Sequence, residues 1–244
     1  MTNEHADHAL PGSDHPVSPD GPRPPSLIVF DVNETLSDMS PMGQRFEEVG
    51  APAHLAKMWF SGLLRDGFSL TAVGENESFA TIAAEALRVV LDGQSLDRGT
   101  EDAVQHVMEG FAGLPVHPDV PDGIRALADA GIRLVTLSNG STSVAEALFD
   151  RAGIREHFEA VLSVEDAPLW KPAAAAYAHA LKSCAVDPME AMLVAAHPWD
   201  LDGAARAGLA TAWINRGGGP YPNYFRAPDL TATSLTELAN ELTG

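Results

Sequence analysis

Asp31 ends the apolar run Leu27-Ile28-Val29-Phe30 and opens the stretch Val32-Asn33-Glu34-Thr35-Leu36. A short β-branched run that stops at an acid reads as a buried parallel strand presenting a carboxylate at its C-terminal edge. Open α/β sheets bind their ligands at that edge. A carboxylate there can serve as a nucleophile, and Thr35, four residues on, can turn its hydroxyl back toward the same spot. Capping a turn is the other use of such an Asp.

The elements that must position these residues follow from the pattern of the chain. Strand-like runs at 27–30, 132–137, 160–163, 191–196 and 210–214 alternate with helix-period stretches at 120–130, 143–152, 173–181, 202–207 and 234–242. One long interruption, from about 40 to 116, holds helix-period stretches at 44–49, 53–64, 78–91 and 100–110 and almost no strand signal. The pattern predicts an α/β fold, a doubly wound parallel sheet (residues 26–39 and 117–244), with a helical cap (40–116) inserted after the first strand. Residues 1–25, with six prolines and no apolar periodicity, read as a disordered tail. His5, His8 and His15, scattered through that tail, do not make a metal site.

Composition narrows the function classes. At 244 residues and 45% hydrophobic content the chain can bury a sizeable core. A formal charge of −19 with only 15 Lys and Arg argues against nucleic acid as a partner. A lone cysteine, Cys184, excludes an intrachain disulfide and a Cys-based zinc site, and fits a reducing cytoplasm. No apolar stretch approaches the length of a membrane span.

Four loops then converge on the sheet edge: Asp31 to Thr35, Ser138-Asn139, Lys171-Pro172 and His197 to Asp200. Their order and content resemble the haloacid dehalogenase superfamily, with its nucleophilic Asp, strand-ending Ser or Thr, Lys, and acidic fourth motif. The resemblance runs from Leu27 to Leu242 and within the superfamily is nearest to the type II, or L-2-haloacid, dehalogenases. Asn33 stands where superfamily phosphatases carry a proton-donating acid, and an amide cannot act as a general acid. Ala196 stands where magnesium-dependent members place an Asp, and losing a carboxylate weakens a magnesium site. Ser138-Asn139-Gly140 is like the dehalogenases' carboxylate-binding motif, and Tyr177 follows Lys171-Pro172 at the matching spacing.

The resemblance implies a small 2-haloalkanoic acid as substrate, no metal and no cofactor. Asp31 would displace halide to give an aspartyl ester that water cleaves. Lys171 would pair with Asp31, Thr35 would hydrogen-bond it, Ser138 and Asn139 would hold the substrate carboxylate, and Asp200 would orient Lys171. Tyr177 would reach the site from its helix. Asn33, Leu64, Phe79 and Trp199 fall where the family binds substrate. His197 replaces an amide usual in the family, and an imidazole there could activate the hydrolytic water or be purely structural. The family's halide-receiving arginine aligns with Phe60, leaving Arg65 or Asn33 to take over that role. Homodimers are common among these dehalogenases. The alternatives are another superfamily hydrolase, such as a small-molecule phosphatase, or a catalytically weak binding homologue.

Overall fold

The structure, a computed structural model, describes residues 24–244. The tail expected at 1–25 therefore lies outside the described residues, apart from Pro24 and Pro25. Strand β1 (Leu27–Phe30) is buried at every residue. Leu27 and Val29 join the apolar cluster on one side of the sheet, and Ile28 and Phe30 join the one on the other side. A strand with both faces covered needs an unbroken apolar run, which is what the sequence supplies.

Four helices follow before the next strand: α1 (Met42–Glu47), α2 (Leu55–Ala72), α3 (Phe79–Leu91) and α4 (Thr100–Ala112). α1 packs on α2 and α4, α2 on α3, and α3 on α4. Their shared core is aromatic. Phe46, Trp59, Phe111 and Phe79 meet in succession with ring centroids 6.1, 5.8 and 5.2 Å apart. The buried Trp59 indole N–H donates to the Ala83 carbonyl at 2.9 Å, so its one polar atom is satisfied.

The chain then alternates through α5 (Val120–Asp129), β2 (Arg133–Ser138), α6 (Thr142–Ala152), β3 (Ala160–Ser163), α7 (Ala174–Cys184), β4 (Ala191–Ala195), α8 (Pro198–Arg206), β5 (Ala210–Ile214), β6 (Leu230–Ala232) and α9 (Leu235–Thr243). The six strands form one sheet in the order β3-β2-β1-β4-β5-β6, and every pairing is parallel. The strand order reverses beside β1, because the chain runs outward from β1 through β2 to β3 and then crosses back to β4 on the other side of β1. A crevice must open at its C-terminal end, and Asp31 is the first residue there.

Three elements differ from the sequence expectation. β6 carries too short and too polar a run, Leu-Thr-Ala, to read as a strand; it gains its order by pairing with β5. α2 continues to Ala72 through Gly67, a residue that blurs a helical pattern. A Cβ at Gly67 would collide with the Trp170 ring, so the glycine is where that indole packs against the helix. α8 starts at Pro198 rather than near 202, with proline in the first turn where its missing N–H is no loss. That places Asp200 in the helix's first turn. Among the described residues no helix is long and apolar enough to cross a membrane.

Candidate active site

Asp31 leaves β1 with its backbone N–H still bonded to the Val194 carbonyl of β4 at 3.0 Å, and its carboxylate is almost wholly buried. Thr35 Oγ1 donates to Asp31 Oδ2 at 2.7 Å and accepts the Ala196 N–H at 2.8 Å. One hydroxyl thus ties the β1 loop to the end of β4. The Arg216 guanidinium donates to the Thr35 carbonyl at 2.9 Å and to Asp119 at 2.6 Å, anchoring that loop from the β5 side.

Lys171 is fully buried and bridges two carboxylates, donating to Asp31 Oδ1 at 2.9 Å and Asp200 Oδ2 at 2.6 Å. The Tyr177 hydroxyl donates to Asp200 Oδ1 at 2.6 Å, which fixes the far side of that carboxylate. Gly203 in α8 makes room for the contact, because a Cβ there would stand 2.6 Å from the Tyr177 oxygen. Asn139 is spent on Lys171: its amide donates to the Lys171 carbonyl at 3.3 Å and its oxygen accepts the Lys171 N–H at 3.0 Å. Both ends of its side chain thus hold the Lys171 backbone, with one of its two amide N–H groups used in doing so. Ser138 Oγ accepts the Gly140 N–H at 2.9 Å and lies just ahead of the start of α6.

His197 stands between two carboxylates, with Nδ1 3.1 Å from Asp31 Oδ2 and Nε2 2.8 Å from Glu34 Oε2. A carboxylate can only accept, so both ring nitrogens must carry protons. The Trp199 ring lies against the imidazole at 5.1 Å and against Phe68 at 4.9 Å. Glu34, which the sequence reading passed over, is brought into the site by its contact with His197. It is held at φ 61°, in the left-handed region a glutamate normally avoids, and such strain gathers at functional sites.

Charge and burial set the protonation states. Burial favours a neutral Asp31, but the Lys171 charge and the His197 and Thr35 hydrogen bonds outweigh it and hold the carboxyl well below the usual range. Burial would strip Lys171 of its proton, yet the charges of Asp200 and Asp31 raise its pKa instead. Burial lifts Asp200 above an ordinary carboxylate; Lys171 offsets part of this and the Asp31 charge adds to it. Burial and the Asp200 charge push the Tyr177 phenol far up, so it stays a donor. Burial opposes charge on His197, but hydrogen bonds to Asp31 and Glu34 push its pKa up to about 10. Held between two carboxylates, His197 is a cation and a donor in this geometry.

The remaining candidates divide. Asn33, Phe79 and Ser138 line a small cavity of about 60 Å³ together with Met108, Phe111 and Val144. Leu64 is half-buried against the core of the helical layer. Trp199 sits by His197, with its ring 5.9 Å from Lys171 Nζ. Arg65 is corrected outright: its guanidinium is exposed and paired with Asp66 at 2.8 Å, so it does not face the site. Phe60 is buried and borders a larger cavity of about 790 Å³ that also touches Glu34 and His197.

Comparison with known proteins agrees with this geometry. A family model described as haloacid dehalogenase-like hydrolase matches residues 25–208. The chain is 29% identical over 212 residues to the (S)-2-haloacid dehalogenase of Pseudomonas sp. (strain YL), covering 85% of this chain and 90% of that protein. It is 31% identical over 215 residues to (S)-2-haloacid dehalogenase 4A of Burkholderia cepacia, covering 86% and 91%. A crystal structure described as a dehalogenase with intermediate complex superposes with a TM-score of 0.85 at 28% identity, covering 91% of this chain and 99% of that one. A parallel sheet with a buried, lysine-paired carboxylate at its switch point, matched along most of its length, places this chain in the haloacid dehalogenase-like hydrolase family.

Proposed function

We propose that this protein hydrolyses the carbon–halogen bond of a small 2-haloalkanoic acid through an ester on Asp31. The observation that carries the reading is the state of Asp31, a buried carboxylate kept ionised by Lys171 and His197 at the crevice of the sheet. A desolvated, ionised and oriented carboxylate is a competent nucleophile toward carbon. The relatives named as 2-haloacid dehalogenases support the substrate class.

In the first half-reaction an Asp31 oxygen bonds to the halogen-bearing carbon from behind, and halide departs with the electron pair of the broken bond. Lys171 keeps Asp31 ionised, and Asp200, Tyr177 and Asn139 keep Lys171 in place. Ser138 and the backbone N–H groups opening α6 receive the substrate carboxylate, as helix N-termini do for anions. Phe79 and Asn33 border the substrate, with Leu64 and Trp199 closing the pocket from the helical layer and from α8. Helices α1 to α4 act as the cap over the crevice, and the protein works in the cytoplasm as a homodimer.

A metal is not part of this mechanism. The donor set explains why: Lys171 Nζ already bridges Asp31 and Asp200, and Ala196 offers no carboxylate beside them. A halide-release panel of fluoro-, chloro- and bromoacetate and 2-chloropropionate tests the reading. With EDTA present, turnover is expected to stay within about twofold of the untreated rate, since no step passes through a Lewis acid. Chelator-sensitive cleavage of a phosphomonoester with no halide release contradicts it and favours a phosphatase.

A further inference from the structure

The dehalogenase reading gives Glu34 no task, and gives His197 only that of keeping Asp31 ionised. Glu34 and His197 come from loops 163 residues apart in sequence and meet at 2.8 Å beside the nucleophile. Glu34 is fixed from three sides: its side chain by His197, its carbonyl by His117 Nε2 at 3.1 Å, and its N–H by Ser37 Oγ at 3.4 Å. The same loop keeps it in a left-handed backbone conformation, which for a non-glycine residue is unfavourable by about 1–3 kcal/mol. Solvation alone does not call for such a residue, since an exposed glutamate needs no strained backbone.

The two Asp31 oxygens are not equivalent. Oδ1 has one partner, Lys171, whereas Oδ2 accepts from both Thr35 and His197. The oxygen with fewer donors keeps the more available lone pair, so Oδ1 is the one that bonds to substrate carbon. Oδ2 then becomes the carbonyl oxygen of the ester, already bracketed by two donors.

We infer that Glu34 is a positioning residue that holds His197 as a double donor, so that the His197 Nδ1–H stabilises the negative charge formed on Asp31 Oδ2 during ester hydrolysis. This rests on the dehalogenase reading above. Water oxygen bonds to the Asp31 carboxyl carbon, and the electron pair of the C=O bond moves to Oδ2. Collapse restores that double bond and breaks the bond from carbon to Oδ1, which leaves as the product hydroxyl. One water proton goes to that oxygen and the other to solvent, where it accompanies the halide. Donors placed where an oxyanion develops are worth about 10²–10³ in rate. The imidazolium thus supplies fixed positive charge at a site where Phe60 supplies none.

Rapid-quench turnover of 2-chloropropionate, read as halide burst and as ester adduct by intact mass, separates the two steps. In Glu34→Gln the halide burst is expected within threefold of wild type, with ester hydrolysis slowed at least tenfold and adduct accumulating. His197→Ala is expected to slow hydrolysis by about 10²–10³-fold, and Glu34→Asp to recover part of what Glu34→Gln loses. Glu34 is nearly half exposed, so the two Glu34 substitutions leave the core intact, and thermal melting checks this for all three variants. The groups around His197 are Asp31, Glu34, Asp200 and Lys171, with Asp38, Lys57, His117 and Arg216 around the larger cavity. Loss of Glu34 removes the nearest anion on Nε2, so the alkaline decline of the hydrolysis step is expected at least one pH unit lower in Glu34→Gln. Hydrolysis slowed less than tenfold, equal slowing of both steps, or an unmoved pH profile overturns the inference while a wild-type burst leaves the dehalogenase reading standing. A wild-type protein with neither burst nor adduct overturns both.

Discussion

Asp31→Asn is expected to reduce halide release from a 2-haloacid by about 10⁴-fold or more, the scale on which removing a covalent nucleophile acts. The amide nitrogen carries no charge and a poor lone pair, so the bond to carbon does not form. The variant is expected to fold. Without the Asp31 charge, Lys171 still has Asp200 at 2.6 Å and His197 still has Glu34 at 2.8 Å, so no buried cation is left alone. A melting temperature near wild type, together with lost turnover, assigns the effect to chemistry. Turnover retained within tenfold would remove Asp31 from the mechanism.

Lys171→Met is the variant expected to lose both activity and stability. It leaves Asp31 and Asp200, both buried, without the ammonium between them. Breaking a buried ion pair in this way typically costs about 3–5 kcal/mol, which denaturant unfolding at pH 7 reads directly. The pH dependence has a definite sign. The Asp31 carboxyl is held below its ordinary range, so its contribution to stability is fully present above that range and is lost as pH falls through the lowered value. Removing Lys171 takes away the largest influence favouring the ionised form. The acid limb of residual activity is therefore expected to move to higher pH, with turnover down by about 10²–10³-fold. A wild-type acid limb in Lys171→Met would show that the ammonium does not set the charge of Asp31.

The sheet was legible because a parallel strand buried on both faces must be an apolar run, and Leu27–Phe30 and Ala191–Ala195 are such runs. β6 was not, since Leu-Thr-Ala owes its strand to a neighbour and not to its own composition. Asp31 and Thr35 could be read together because four residues of one loop separate them. The partners of Asn139 and His197 could not. Whether an amide faces a substrate or a backbone 32 residues away is decided by how β2 and the loop before α7 come together. Whether an imidazole is base or cation depends on what faces its second nitrogen, and Glu34 looked like an ordinary loop acid. The one signal available was its place in the same loop as the nucleophile. Arg65 failed for a simpler reason: five residues along a helix from Phe60 it projects in another direction, and it is taken up by Asp66.

Single turnover in water enriched in heavy oxygen, with enzyme in excess over 2-chloropropionate, tests the ester on Asp31 most directly. Hydrolysis at the Asp31 carboxyl carbon places one solvent oxygen in that side chain and sends an unlabelled oxygen out with the product. Peptide mass analysis is expected to find the label at Asp31 and unlabelled 2-hydroxy acid from the first turnover. Labelled product with an unlabelled Asp31 would mean that water attacks the substrate carbon itself, which contradicts the ester.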